Sequence, residues 1–184
     1  MVQVRFHGRG GQGVVTSAEL LSTAAFLDGH HAQAFPMFGS ERTGAPIQAF
    51  CRIDDAPIRA HEPIEHPDVL VIQDATLLHH VDVFAGLARD GVVLVNSPRH
   101  PAGLGLADLA ADVRAVPASA IAGEHLGRIM PGTALLGALA AVTHLVSEAS
   151  LAGAVRLRFS GAVADGNVRA VEDGWAVIEA GAYA

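Results

Sequence analysis

The sequence predicts an α/β fold in which a mostly parallel sheet precedes a helical C-terminal part. Two observations support this prediction. Short apolar runs alternate with segments of helical periodicity along the first two thirds of the chain, as in strands joined by helical crossovers. The last third shows helical periodicity alone. The chain has 184 residues, which suits one domain that spans residues 1–184 and buries a sizeable core.

The first predicted unit is a strand, a glycine-rich turn and a helix. Val2, Val4 and Phe6 alternate with polar residues, which is typical of a half-buried strand. Apolar residues then recur at helical spacing over residues 14–27. Gly29 follows this helix at the position that a C-cap glycine occupies, so we expect the helix to end there.

The later elements follow from the same two periodicities. Residues 69–72 and 92–95 are continuously apolar, which predicts strands that are buried on both faces. Residues 133–148 are apolar nearly all round, so this helix is expected deep under the sheet or at a subunit interface. After the first strand and helix, we predict strands at residues 31–35, 45–53, 69–72, 92–95 and 113–116, and helices at residues 76–90, 133–148, 151–159 and 167–180.

Composition and charge exclude several classes of function. Hydrophobic residues make up 51% of the chain and charged residues 17%, which is a compact globular composition. The net charge of −7 argues against a broad nucleic-acid interface. The apolar stretch 134–146 is too short to cross a membrane, and we recognise no secretory signal. We therefore expect a cytoplasmic protein with neither a membrane nor a nucleic acid as partner.

Cysteine and histidine content bears on metal chemistry. Cys51 is the single cysteine, which excludes an internal disulfide and an iron–sulfur cluster held by this chain alone. It falls on the apolar face of its strand, as a buried structural thiol does. The ten histidines include adjacent pairs at positions 30–31 and 79–80, whose members do not face one site together. We expect no metal site and, because Ser17 and Ser40 lack a placed base, no catalytic nucleophile.

A glycine-rich segment, FHGRGGQGVV, joins the first strand to the first helix. The candidate binding loop within it comprises Gly8, Arg9, Gly10, Gly11, Gln12 and Gly13. Gly8, Gly10 and Gly13 fit the pattern G-x-G-x-x-G, which allows a tight turn, close ligand approach and close helix–strand packing. Amides at the helix start would face an anion, and Arg9 would add a charge-assisted contact to phosphate. A simple strand–helix turn explains the same glycines, so both interpretations stay open.

A dinucleotide site needs one further feature, an acidic residue about 20 residues beyond the glycines that holds a ribose hydroxyl. The segment HHAQAFPMFG, from His30 to Gly39, contains no acid. This weakens, without removing, the hypothesis of a free-standing NAD- or FAD-binding oxidoreductase. The loop would otherwise serve a phosphate group of another ligand, or a partner chain.

A second segment, AFPMFGSERTGAPIQAFCRID, mixes aromatic, charged and glycine residues within a hairpin-like connection. One interpretation is a solvated loop with Phe35 and Phe38 tucked into the core. The other is an interface or active-site rim in which Arg42 meets an anionic group, since arginine suits planar, bidentate contacts. The candidate binding residues of this segment are Ser40, Glu41 and Arg42.

The two segments together resemble the gamma subunit, or gamma domain, of 2-oxoacid:ferredoxin oxidoreductases, the pyruvate and ketoisovalerate enzymes. GRGGQGVVTSAELL and FPMFGSERTGAPIQAFCRIDD stand in the order and spacing of that family, followed by DVLVIQD, TALLGALA and NVRAVEDGW. The similarity therefore extends over nearly the whole chain. One position departs from it: the family often has an asparagine before the TALLGALA helix, where this chain has Pro131 and Gly132. A polar contact of the family at that place is thus left open.

The resemblance implies a Rossmann-like three-layer sandwich and a role within a larger enzyme of pyruvate metabolism. Enzymes of this family cleave a 2-oxoacid oxidatively, transfer the acyl group to coenzyme A and pass electrons to ferredoxin. The resemblance places thiamine diphosphate, magnesium and the iron–sulfur clusters on alpha, beta and delta-type partner subunits. The gamma part packs on those subunits and helps to hold coenzyme A. An isolated gamma chain is expected to be inactive and able to self-associate through surface meant for a partner.

Overall fold

The structure is a computed structural model that describes residues 1–37 and 44–181. The strands are β1 (Val2–Arg9), β2 (His31–Pro36), β3 (Pro46–Asp54), β4 (Val69–Ile72), β5 (Val92–Asn96) and β6 (Asp112–Val116). The helices are α1 (Val14–Leu27), α2 (Ala118–Leu126), α3 (Gly132–Thr143), α4 (Glu148–Arg158) and α5 (Gly161–Glu179). Two short 3₁₀ helices lie at Ala75–His79 and Pro101–Leu104.

The six strands form one sheet in the order β2-β3-β1-β4-β5-β6. β1, β4, β5 and β6 are parallel neighbours, whereas β3 is antiparallel to both β1 and β2. The predicted α/β class, with a mostly parallel sheet and a helical C-terminal part, is thus confirmed. The β2–β3 pair also confirms the predicted hairpin-like connection.

Apolar side chains project from both faces of the sheet, because successive residues of a strand point to opposite sides. Val4 and Phe6 of β1 lie in a large cluster to which all five helices contribute, among them α3 with the fully buried Leu135. On the other face, Leu70 of β4 packs with Leu77 in a second cluster. The second face is covered by the two 3₁₀ helices and by loops, so the third layer of the sandwich lacks long helices among the residues described.

The helix predicted over residues 76–90 is wrong. A 3₁₀ helix spans Ala75–His79, and turns follow it. The carbonyl groups of Val83 and Ala85 accept hydrogen bonds from the Arg5 guanidinium at 3.0 and 2.6 Å, instead of from amides of a following helical turn. Gly86 adopts a φ of 73°, which ends any continuous helix there.

The C-terminal helices begin and end at different residues from those predicted. α3 stops at Thr143 because His144 takes a left-handed conformation with a φ of 52°. Ser147 then caps α4, its hydroxyl accepting from the amide of Ser150. α5 begins at Gly161, earlier than the predicted residue 167. The prediction also missed α2, although Pro117 at its start and Gly127 after its end are typical boundary residues.

α3 and α5 cross with their backbones in contact. A Cβ atom built on Gly137 of α3 would overlap the carbonyl oxygen of Val171 in α5, and one on Gly174 would overlap that of Ala134. Each of the two glycines thus leaves room for the main chain of the other helix. Of the two predicted locations for the apolar helix, burial within the domain is the one observed, since Gly132 to Ala141 are all buried.

Two buried arginines fasten loops to the second face of the sheet. Arg5 is 5% exposed and donates to the carbonyl groups of Ile64 and Val83, among others. Arg52 is 1% exposed and donates to the carbonyl of Glu62 at 2.6 Å. The Arg5 Nε group also donates to Nε2 of His7 at 3.0 Å. Burial first, and then the charge of Arg5, lower the pKa of His7 to about 3, so this imidazole is neutral in the folded protein.

Candidate functional site

The glycine loop lies at the carboxyl end of the parallel strands, where open α/β sheets bind ligands. A Cβ atom on Gly8 would stand 2.5 Å from Cγ2 of Val14, so the close strand–helix packing that the pattern assigns to its third glycine is made here by the first. Gly11 and Gly13 have φ angles of 93° and 74°, which side chains disfavour. Gly13 is the N-cap of α1 and offers no side chain to the first amides of the helix.

The backbone of the loop is partly engaged by the chain itself. The amide of Gly10 donates to the carbonyl of Ala45 at 2.9 Å, and the carbonyl of Gly10 accepts from Gly44 at 3.2 Å. The amide of Gln12 donates to the carbonyl of Arg9 at 3.0 Å. A Cβ atom on Gly11 would meet no atom of the described residues within 4 Å. The open part of the loop is therefore its apex at Gly11, and Gly10 faces the segment that enters β3.

Arg9 is held by a polar network across the mouth of the loop. Its Nε donates to Oδ2 of Asp74 at 3.0 Å, Nη2 to Oγ1 of Thr76 at 2.7 Å and Nη1 to the carbonyl of Gly44 at 3.1 Å. Gln12 donates through Nε2 to the same Oδ2 at 3.1 Å. The guanidinium that the sequence offers to a phosphate is therefore already paired with a carboxylate.

Asp74 is ionised in this network. Partial burial opposes ionisation of the carboxyl group, but hydrogen bonds from Thr76 and Gln12 and the charge of Arg9 outweigh it and lower the pKa of Asp74. An anionic ligand that reached Arg9 would have to compete with this carboxylate. Asp74 was not among the predicted site residues, although its position just after a buried strand was a usable signal.

A buried amide lies beside the glycine loop. Gln73 is 1% exposed, and its Nε2 donates to Oγ of Ser17 in α1 at 2.7 Å. Its Oε1 is buried and accepts no hydrogen bond from the part of the chain that is described. A Cβ atom on Gly132, at the start of α3, would overlap Oγ of Ser17. Gln73 and Ser17 therefore fill the space where the N-termini of α1 and α3 meet.

The strand order bears on the dinucleotide hypothesis. In a dinucleotide-binding domain the acid that holds the ribose ends a strand adjacent to the first one. Here β3 lies between β1 and β2, which puts the end of β2 roughly 10 Å from β1 at the usual strand spacing. β2 also carries no acid in its sequence HAQAFP. The acid beside the glycine loop is Asp74, which follows β4.

The predicted residues Ser40, Glu41 and Arg42 lie outside the described residues, as does Phe38. The segment that follows them is fixed to the glycine loop through the hydrogen bonds between Gly10 and residues 44 and 45. Phe35, which precedes them, packs on Phe50 with ring centroids 5.1 Å apart. The two motifs singled out in the sequence thus adjoin each other in the fold.

The other features considered in the sequence are Cys51, a metal site and a membrane-spanning helix. Cys51 is fully buried, and burial raises the pKa of its thiol. Within residues 1–37 and 44–181, no three His, Cys, Asp or Glu side chains come together as a metal site would require. In the same ranges, no helix combines the length and the apolar character that crossing a membrane demands.

Comparisons with known proteins agree on one family. A family model described as pyruvate ferredoxin/flavodoxin oxidoreductase matches residues 3–177. The pyruvate synthase subunit PorC of Methanothermobacter marburgensis is 49% identical over 170 residues, which cover 92% of this chain and 93% of the relative. The common gamma subunit of the pyruvate/ketoisovalerate oxidoreductases of Thermococcus kodakarensis is 47% identical over 175 residues, or 94% of this chain and 95% of the relative. The crystal structure of pyruvate oxidoreductase subunit PORC of Thermotoga maritima matches with a TM-score of 0.85 at 36% identity, and the match covers 95% of each chain.

Proposed function

The chain belongs to the pyruvate ferredoxin/flavodoxin oxidoreductase family, and from this membership we propose that it orients coenzyme A for catalytic partner subunits. It is a gamma-type subunit of a multisubunit 2-oxoacid:ferredoxin oxidoreductase, as its relatives are. We assign the enzyme the oxidative decarboxylation of a 2-oxoacid, with acyl-coenzyme A as product and ferredoxin as electron acceptor. We also propose that the assembly is cytoplasmic.

The donor groups of the chain suit a companion role. Its one cysteine, Cys51, is buried, and four thiolates are the usual ligands of an iron–sulfur cluster. We therefore assign the clusters, together with thiamine diphosphate and magnesium, to partner subunits of the alpha, beta and delta types. Within the enzyme, this chain supplies binding and orientation, and the cofactors on the other chains supply the reactive chemistry.

The observation that carries the coenzyme A proposal is the exposed backbone at Gly11, next to the N-terminus of α1. A helix N-terminus favours negative charge, and the glycine at the N-cap offers no side chain to the first amides of α1. The proposed binding residues are Gly8, Arg9, Gly10, Gly11, Gln12 and Gly13, with Ser40, Glu41 and Arg42 from the adjoining segment. In this arrangement a phosphate group of coenzyme A lies against the loop apex.

Asp74 then acts as an internal competitor for Arg9. A phosphate bound at the loop shares or replaces the carboxylate as the partner of the guanidinium, at a distance of 3.0 Å in the free chain. The competition would keep the site specific for ligands whose charge exceeds that of a single carboxylate. The direction of the effect can be measured, since removing the Asp74 carboxylate should strengthen the binding of coenzyme A.

The test uses the complex reconstituted from this chain and its partner subunits. We expect the isolated chain to be inactive, and the complex to oxidise a 2-oxoacid only when coenzyme A is present. In the complex, Arg9→Gln should raise the KM for coenzyme A about tenfold, which corresponds to the loss of one charge-assisted contact. The KM for the 2-oxoacid should stay unchanged, because that substrate binds on other subunits.

Arg156→Gln is the matched control. Arg156 is an exposed arginine of α4 whose Nη1 lies 3.0 Å from Oδ1 of Asp165, so it also loses one ion pair when replaced. The control should leave both KM values within twofold of the wild type. Equal KM values for coenzyme A in wild type, Arg9→Gln and Arg156→Gln would refute the proposed orienting role. Failure of the chain to co-purify with thiamine-dependent subunits would refute the assignment of partners.

A further inference from the structure

A cavity opens at the same end of the sheet as the glycine loop, but on the face opposite to the helices. It encloses about 490 Å³ and lies between the two 3₁₀ helices, beyond the carboxyl ends of β4 and β5. Its lining residues are Ala75, Thr76, His79, Arg99, Gly103 and Leu104. Carboxyl ends of parallel strands are the usual ligand-binding edge of an open α/β sheet.

The two ionisable side chains that line this cavity are both of basic residues. Arg99 and His79 come from opposite walls, and no acidic residue is part of the lining found in the described structure. This is notable in a chain with a net charge of −7. The guanidinium of Arg99 has no hydrogen-bond or ion-pair partner among residues 1–37 and 44–181, in contrast to that of Arg9. It is available for a planar, bidentate contact.

One wall of the cavity is already fixed by the glycine-loop network. Thr76 lines the cavity, and its Oγ1 accepts a hydrogen bond from Arg9 and donates to Asp74 at 2.6 Å. The cavity wall that carries His79 is therefore fixed by the hydrogen bonds of Thr76 to Arg9 and Asp74. The opposite wall is closed by Gly103, where a Cβ atom would meet only Cβ of Arg99, at 3.8 Å, among the described atoms within 4 Å.

We infer that this cavity binds a phosphate ester, with Arg99 as the bidentate contact and His79 as the second donor. The inference goes beyond the proposed function, because none of the lining residues belongs to the glycine loop. A volume of about 490 Å³ accommodates a phosphorylated group larger than free phosphate. Exposed basic groups without a buried partner bind anions weakly, so the dissociation constant should be near about 1 mM at low salt.

The experiment titrates inorganic pyrophosphate and adenosine diphosphate into the purified full chain and follows binding by calorimetry and by phosphorus NMR. Arg99→Gln should raise the dissociation constant at least about tenfold. Arg89→Gln is the control, because Arg89 is an exposed arginine outside the lining and its replacement removes the same charge. It should change the dissociation constant less than twofold.

A second variant tests the space itself without changing the charge. Gly103→Val adds a side chain to the cavity wall at a position whose φ is not positive, and it should also weaken pyrophosphate binding. Preference for adenosine diphosphate over pyrophosphate would support a phosphate ester as the ligand, and the reverse preference would overturn the ester assignment. Equal losses in Arg99→Gln and Arg89→Gln would overturn the inference, as would absence of wild-type binding at about 10 mM pyrophosphate. Loss of this binding with an unchanged KM for coenzyme A in the complex would separate it from the glycine-loop proposal.

Discussion

Replacing Gly137 by alanine should destabilise the protein although the substitution favours helix formation. The added Cβ atom would overlap the carbonyl oxygen of Val171, which is main chain and cannot rotate away as a side chain does. α3 has little freedom to withdraw, because its residues from Gly132 to Ala141 are buried. Relief of the overlap therefore requires α3 and α5 to separate along their crossing.

The size of the effect follows from two opposing contributions. Overpacking in a dense core costs about 1–3 kcal/mol, and contact with rigid backbone belongs at the upper end of that range. Alanine in place of glycine within a helix returns up to about 1 kcal/mol. We expect a net loss of about 2 kcal/mol in the free energy of unfolding. For a chain of this length, that corresponds to a fall in Tm of about 4–8 °C.

The matched control is the same substitution in α2. A Cβ atom on Gly123 would meet none of the described atoms within 4 Å, so Gly123→Ala should gain up to about 1 kcal/mol. Urea unfolding of the isolated chain, followed by circular dichroism, measures both variants. Opposite signs for Gly137→Ala and Gly123→Ala would support the crossing, and two values within about 0.5 kcal/mol of each other would refute it.

Three further predictions concern charge and ligand binding. Asp74→Asn should lower the KM for coenzyme A in the reconstituted complex, because Arg9 loses its competing carboxylate; an increased KM would contradict this reasoning. His7 has a folded pKa of about 3, below the ordinary histidine value of 6.5, so the unfolded state takes up the proton first and His7 destabilises the fold progressively as the pH falls from about 6.5 to about 3. In urea titrations His7→Gln should therefore show a shallower decline in stability over that window than wild type or the exposed-site control His61→Gln, and parallel curves would exclude His7 as the cause. Calorimetry of the isolated Arg99→Gln chain, in which the phosphate-ester cavity is weakened, should show no binding of NAD or FAD at about 1 mM, because β3 separates β2 from β1; measurable affinity would revive the dinucleotide hypothesis.

Local patterns predicted those parts of the fold that depend on neighbouring residues. The alternation in β1 and the continuous apolar runs of β4 and β5 gave strands at their observed places. The resemblance to the gamma subunits is confirmed by the family match over residues 3–177. The helix expected after β4 failed because its pattern depends on a distant side chain: Arg5, about 80 residues earlier, binds the carbonyl groups that a helix would use.

For the candidate site, too, the sequence predicted the local motif but not the residues that the fold brings next to it. The sequence identified the glycine loop, and the structure gives Gly8, Gly11 and Gly13 the packing or positive φ angles that require glycine. It did not identify Asp74 and Gln73 as neighbours of that loop, because their partners Gln12 and Ser17 lie more than 55 residues away along the chain. Only the pairing of β1 with β4 brings them together.

The way in which Arg5 and Arg52 hold the second face has an evolutionary consequence. Both side chains bind carbonyl oxygens of the loops, such as those of Glu62 and Ile64, and every amino acid carries that oxygen. Side chains on the outer surface of these loops can therefore change freely from one species to another while the attachment persists. The two arginines have no such latitude, since a shorter or uncharged residue would remove the donor of four main-chain carbonyl groups at Arg5 and of the Glu62 carbonyl at Arg52. We therefore expect substitutions on this surface to be tolerated as long as Arg5 and Arg52 are kept.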